Sequence, residues 1–156
     1  MSKKKAVTGL KMRGFLRGQI VDRESGKIVG DTGWRQNKAT NNGLTNLALL
    51  ITGGGYSVGY AAIGTQTDAI DMTQTDLIGS VNSFQAITTS TSGTCTATFT
   101  CSFAGTNLAA SATVGAAGLY KTNSAGSMVA AAIFTTSQMT TAQDFNLTYQ
   151  LRFATA

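Results

Sequence analysis

The chain has 156 residues, enough for one domain with a sizeable core, and only 12% of them are charged, about half the quarter usual in globular proteins. It contains no histidine and no proline, so the commonest general base and metal ligand is missing. The net charge of +5 is uneven: residues 1–40 hold ten of the twelve basic residues and three of the seven acids, and the rest is slightly acidic.

Residues 1–12, MSKKKAVTGLKM, read as an extended basic arm without an apolar run of signal-peptide length. Lys3, Lys4, Lys5, Lys11, Arg13 and Arg17 are the candidate partner-docking residues. Such a segment can contact nucleic-acid phosphates, remain a solvated tail, or dock on an acidic protein surface. Phe15 is the only aromatic residue before Trp34, so there is little to stack on bases, and docking on protein is preferred over nucleic acid.

Residues 13–38 read as a hairpin, with β-prone runs 15–21 and 28–36 around the turn DRESGK. Residues 41–52 read as a helix that Thr40 or Asn41 can cap. Leu44, Leu47, Ala48 and Ile51 recur at helical spacing, which makes Leu44, Leu47 and Ile51 the expected core face. Gly53, Gly54 and Gly55 end this helix. A phosphate-cradling loop has the opposite order, with glycines leading from a strand into Lys-Ser/Thr at a helix start. No lysine follows here, so the glycines read as a helix stop.

Residues 58–156 read as a series of strands. YSVGYAAIGTQT is a short buried strand, DAIDMTQTDLIGS is irregular, and VNSFQAITTS is one strand. In GTCTATFTCSF, Cys95, Ala97, Phe99, Cys101 and Phe103 share one face and threonines the other. Two cysteines so placed lie about 20 Å apart along the strand and cannot bridge each other there. They are expected as buried free thiols, with pairing between subunits left open. SATVGAAGLYKT and SMVAAAIFTT flank a turn at NSAG, and FNLTYQLRF alternates Phe145, Leu147, Tyr149, Leu151 and Phe153 against polar residues. The expectation is a mainly β chain: one antiparallel, jelly-roll-like β-sandwich domain over 13–156, with one short helix and an extended basic N-terminal arm.

Asp68, Asp71 and Asp76 form the only acidic cluster. Oxygen-rich loops can hold Ca²⁺ and paired carboxylates can cleave glycosides, but this spacing fits no EF-hand loop. A solvated loop in which Asp caps a turn is the plain reading, and cation binding stays open. No nucleophile has a histidine to activate it, so no enzyme, cofactor or resident metal is expected. No segment has the roughly 18 apolar residues of a membrane helix.

The segments NKATNNGLTNLALLITGGG, YAAIGTQTDAIDMTQTDLIGSV, TATFTCSFAGTNLAASATVGAAGLYKTNSAGSMVAAAIFTT and DFNLTYQLRFAT, in that order, resemble a class of small structural proteins from tailed bacteriophages. Asn37, Thr40 and Gly43 match the start of its loose pattern, and Ala62, Ile63, Gly64 and Thr65 the second element. Asp76 and Leu77 match the loop end, and Gly118, Leu119 and Tyr120 the third element. Gln66 stands where a second glycine is common, and Ala116 and Ala117 stand where many relatives carry an acid. The resemblance spans about residues 35–156 and leaves the basic segment outside it. It implies a virion component, assembled in the host bacterial cytoplasm, built on a β-sandwich. The preferred role is a capsid decoration or cementing protein that docks on the major capsid protein, with a homo-oligomer, above all a trimer, as its assembled form. A tail, neck or fibre-attachment protein of the same fold is the alternative, with other virion proteins as partners. A receptor- or glycan-binding module is a third reading and would use Tyr56, Tyr60 and Tyr120 on one rim.

Overall fold

Strict alternation in the first and last long strands sets the centre of the structure. The computed structural model describes residues 9–55, 57–81, 84–92 and 95–155. Strands β1 (Leu10–Asp22) and β11 (Gln143–Thr155) pair antiparallel over their whole lengths. Leu16 and Ile20 of β1 and Phe145, Leu147 and Tyr149 of β11 turn inward and are buried. The period of two sends Lys11, Arg13, Phe15 and Arg17 to the opposite face.

This pair is the middle of a sheet ordered β2 (Ile28–Asp31), β1, β11, β8 (Thr96–Ala104), β7 (Thr88–Ser92), with β3 (Arg35–Gln36) also on β1. A second sheet is ordered β4 (Lys38–Ala39), β10 (Met128–Met139), β9 (Ala112–Tyr120), β5 (Tyr60–Gly64), β6 (Gln85–Ala86). The pairings are antiparallel, and the two sheets form the expected β-sandwich. Its core joins Leu16, Phe103 and Phe145 of the first sheet to Ile63, Leu119 and Phe134 of the second. The Phe134 and Phe145 rings stack across the interface with centroids 5.8 Å apart. Each large apolar side chain buried here contributes about 1.5–3 kcal/mol relative to exposure.

The second sheet is covered on its other face too. Ala62, Ala116, Tyr120, Met128 and Ala131 pack there against Ile70 and Leu77 from the loop between β5 and β6. Strands buried on both faces lose the alternation of one-sided strands, which accounts for the continuous small apolar runs in β9 and β10. Hydrogen bonds hold the covering loop down. Met128 N donates to Thr75 O (3.1 Å), and Leu77 N donates to the Tyr120 hydroxyl (3.0 Å), which itself donates to Asp76 Oδ1 (2.7 Å). Gln66 Oε1 accepts from Gln74 Nε2 (2.6 Å) and from Ile78 N (3.1 Å).

Helix α1 (Asn41–Ile51) starts at Thr40, whose side chain accepts from Gly43 N (3.1 Å) and donates to Met128 O (2.8 Å). It ends with Gly53 in the left-handed region (φ 80°), Gly53 N on Leu50 O and Gly54 N on Leu49 O. That is the glycine stop expected from the sequence, closing orphan carbonyls.

The helix face is where the expectation fails. Leu44 and Ile51 are exposed, Ile51 by 80%, and the buried residue of the helix is Asn46. Gly43 sits so close to β10 that a Cβ would overlap the Val129 carbonyl. Close approach at this position turns Gly43, Asn46 and Leu47 toward the sandwich and leaves Leu44, Ala48, Leu50 and Ile51 exposed. Leu47 belongs to both stripes and is half-buried.

Three further boundaries differ. Leu10–Met12 belong to β1 rather than to an arm, because pairing with β11 satisfies their backbone, and residues 1–8 lie outside the described residues. The single strand expected at 81–90 is two, β6 in one sheet and β7 in the other, and the chain crosses between the sheets at Ile87. Cys95 is an exposed turn residue with φ 56°, not a buried strand residue.

Candidate docking surface

The outward positions of β1 carry the basic residues singled out from the sequence. Lys11 and Arg13 are exposed, whereas Lys3, Lys4 and Lys5 lie outside the described residues. Arg17 is not available in the same way. Its guanidinium binds Asp31 of the neighbouring β2 through Nη2–Oδ2 at 2.5 Å and Nε–Oδ1 at 3.0 Å. Arg17 holds the Asp31 carboxyl well below the usual carboxylate range, with further bonds from Gly33 N and Gln19 Nε2. Arg23 is likewise paired with Asp144 at 2.7 Å. Of the docking residues on β1, Arg17 is therefore spent within the sheet.

Strand register adds a cation that sequence proximity does not reveal. Arg152 of β11 stands directly opposite Arg13, and Lys11 stands opposite Ala154. Directly opposed side chains on neighbouring strands have Cβ atoms about 4.5–5.5 Å apart, and like charges there repel. Arg152 lies over the Phe15 ring at 4.9 Å and donates to Gln150 Oε1 (2.7 Å). Lys11, Arg13, Phe15, Arg152 and Ala154 line one shallow depression. Among the described residues, the ion pairs are Arg17–Asp31 and Arg23–Asp144 alone, so Lys11, Arg13 and Arg152 have no acidic partner. Beside them the same face carries neutral side chains: Thr96, Thr98 and Thr100 of β8 lie opposite Arg152, Gln150 and Thr148 of β11. The result is a positive end on a sheet face that is otherwise hydroxyl-rich or, at Arg17 and Asp31, charged but paired.

The other singled-out residues do not converge. Asp71 Oδ1 accepts from Thr73 N and Oγ1 at 2.7 and 2.6 Å, and Asp76 is engaged with Tyr120. Among the described residues, no three His, Cys, Asp or Glu side chains group as metal ligands. Tyr120 is fully buried, so it cannot serve a glycan-binding rim. Its hydroxyl reaches back to the covering loop, while Tyr60 packs partly buried beside it and Tyr56 lies outside the described residues. Cys101 is half-buried, and desolvation pushes its thiol up to about 12. No helix among the described residues is long and apolar enough to cross a membrane.

Arg152 was the residue missed from sequence. Its polar position in an alternating strand was visible, but its place beside Arg13 depends on the first and last strands pairing. No family model, curated protein or solved structure matches the chain.

Proposed function

We propose that the chain is a structural protein of a tailed-bacteriophage virion, a capsid decoration protein that docks on acidic surface of the major capsid protein. The observation that carries the docking mode is the acid-free cluster of Lys11, Arg13 and Arg152 at one end of a sheet face on which Arg17 is already paired with Asp31. Two opposed guanidiniums repel in the free protein, and carboxylates of a partner relieve that repulsion. Arg also suits bidentate pairing with carboxylate. The virion assignment rests on the motif resemblance over residues 35–156. Lys3, Lys4 and Lys5 extend the same positive charge along the chain. Repetition over many capsid subunits lets individually weak contacts hold, and a closed trimer would add to this.

The test is copy number in purified particles, with heads and tails separated on a gradient and quantified by mass spectrometry. Hundreds of copies travelling with heads are expected. A few dozen or fewer travelling with tails would replace decoration by a neck, tail or fibre-attachment role, and absence from particles would overturn the virion reading.

A further inference from the structure

Helix α1 is apolar on the side turned to solvent as well as on the side turned to the sandwich. Leu44 is 43% exposed and Ile51 80%, with exposed Ala48 between them. The helix carries no charged residue, and the sequence holds none between Lys38 and Asp68. A helix at a free surface ordinarily turns charged and polar residues outward, and one that is apolar all round is covered.

The spacing says what covers it. Leu44, Ala48 and Ile51 follow steps of four and three, the seam by which one helix packs along another. α1 is the one α-helix among the described residues, so a second copy of the chain supplies the helix that the seam fits. Charge favours the same occupant. Two copies of a chain with net charge +5 repel, and a charge-free stretch is where they can approach. Exposed Asn41, Thr45 and Thr52 lie beside the seam. Amide and hydroxyl groups both donate and accept, so this rim is complementary to itself. Lys121 reaches the helix at Asn42, on the flank away from the seam.

We propose that α1 docks on α1 of a second copy, with Ala48 at the centre of the contact. The small Ala48 side chain lets the two helices approach, and Leu44 and Ile51 interlock on either side of it. The seam is two turns long, so the contact is small and association is weak, with a Kd on the order of 100 µM. At low micromolar concentration the chain is a monomer. Leu44, Ala48 and Ile51 are not among the residues of the basic depression, and the contact does not rest on the virion assignment.

Sedimentation equilibrium of the full chain from micromolar to millimolar concentration tests it. Mass should rise with concentration above the 16.1 kDa of one chain. Ala48→Glu and Ala48→Lys should each hold the chain at that mass, because like charges then meet at the centre of the contact in parallel and antiparallel packing alike. Glu and Lys are good helix formers, so neither change strains α1, and melting temperatures at low micromolar concentration verify the folds. An equimolar mixture of the two variants should restore association, because opposite charges then face each other. Ile28→Ser, at an exposed position of β2, should leave association of the native kind unchanged. A native chain that stays monomeric at millimolar concentration overturns the proposal. So does association that persists in both Ala48 variants or is lost in Ile28→Ser, which would place the contact elsewhere. Failure of the mixture to associate would overturn the pairing of α1 with α1.

Discussion

Arg17 and Asp31 show how one residue type serves two ends on one strand face. Arg17, two positions beyond Phe15, is neutralised by Asp31, and Arg13, two positions before it, is not. The pair gives a pH signature. The Asp31 carboxyl is held low in the folded chain, so the unfolded chain takes up its proton first as pH falls. Its contribution is complete above the unfolded value of about 4 and is lost as pH drops through the lower folded value. Asp31→Asn should therefore destabilise the protein modestly at pH 7, as befits a partly exposed pair, and less so in strong acid. Urea unfolding at pH 7 and pH 2.5 checks this, and an equal loss at both would contradict it. The two thiols should also separate. Exposed Cys95 should react with a thiol reagent in the native protein, whereas half-buried Cys101, with its thiol pushed up to about 12, should react far more slowly until the chain unfolds. Peptide mapping after labelling distinguishes them, and equal labelling in the native state would contradict the burial of Cys101.

At the scale of elements, α1 is held by its start and one flank rather than by its leucine stripe. Thr40 and Gly43 fasten it to β10, and Leu47 faces the sandwich. Leu47→Asp should lower stability by about 1–3 kcal/mol through burial of an unpaired carboxylate, and Ile51→Asp should change it by under about 0.5 kcal/mol. Chemical denaturation measures both, and a larger effect at Ile51 would contradict the observed helix face. The helix itself was legible in the sequence, because capping and glycine termination are local. Its inner face was not, because Gly43 registers as a weak helix former until its contact with Val129 is known. The alternation of β8 and β11 marked their inner faces from Ala97 to Phe103 and from Phe145 to Phe153 for the same local reason, while Cys95 fell in the turn before β8. The division of β6 from β7 was hidden because a crossover between sheets leaves an extended backbone on both sides of Ile87. Two motif residues distant in sequence, Asp76 and Tyr120, meet at a fastening point.

At the scale of the molecule, unpaired positive charge gathers at one end of a sheet face whose Arg17 is paired with Asp31. The pairing of β1 with β11 brings Arg13 and Arg152 together across the length of the chain, and Asp31 and Asp144 of that sheet lie with Arg17 and Arg23 instead. Sequence reading found the basic region and assigned it to an arm; the sheet places Lys11 and Arg13 on a rigid surface and adds Arg152. A docking surface of this kind should weaken with salt, because exposed charges are screened over about 10 Å at 0.1 M ionic strength. The proposed docking through this surface is tested by incorporation of Arg13→Glu/Arg152→Glu into phage heads, quantified by mass spectrometry beside the unaltered chain. The two glutamates also face each other, so the strand pair keeps a like-charge contact, and an unchanged melting temperature verifies the fold. Incorporation should fall at least about tenfold, as loss of more than one charge-assisted contact would give. Undiminished incorporation of the folded variant would contradict docking through this surface.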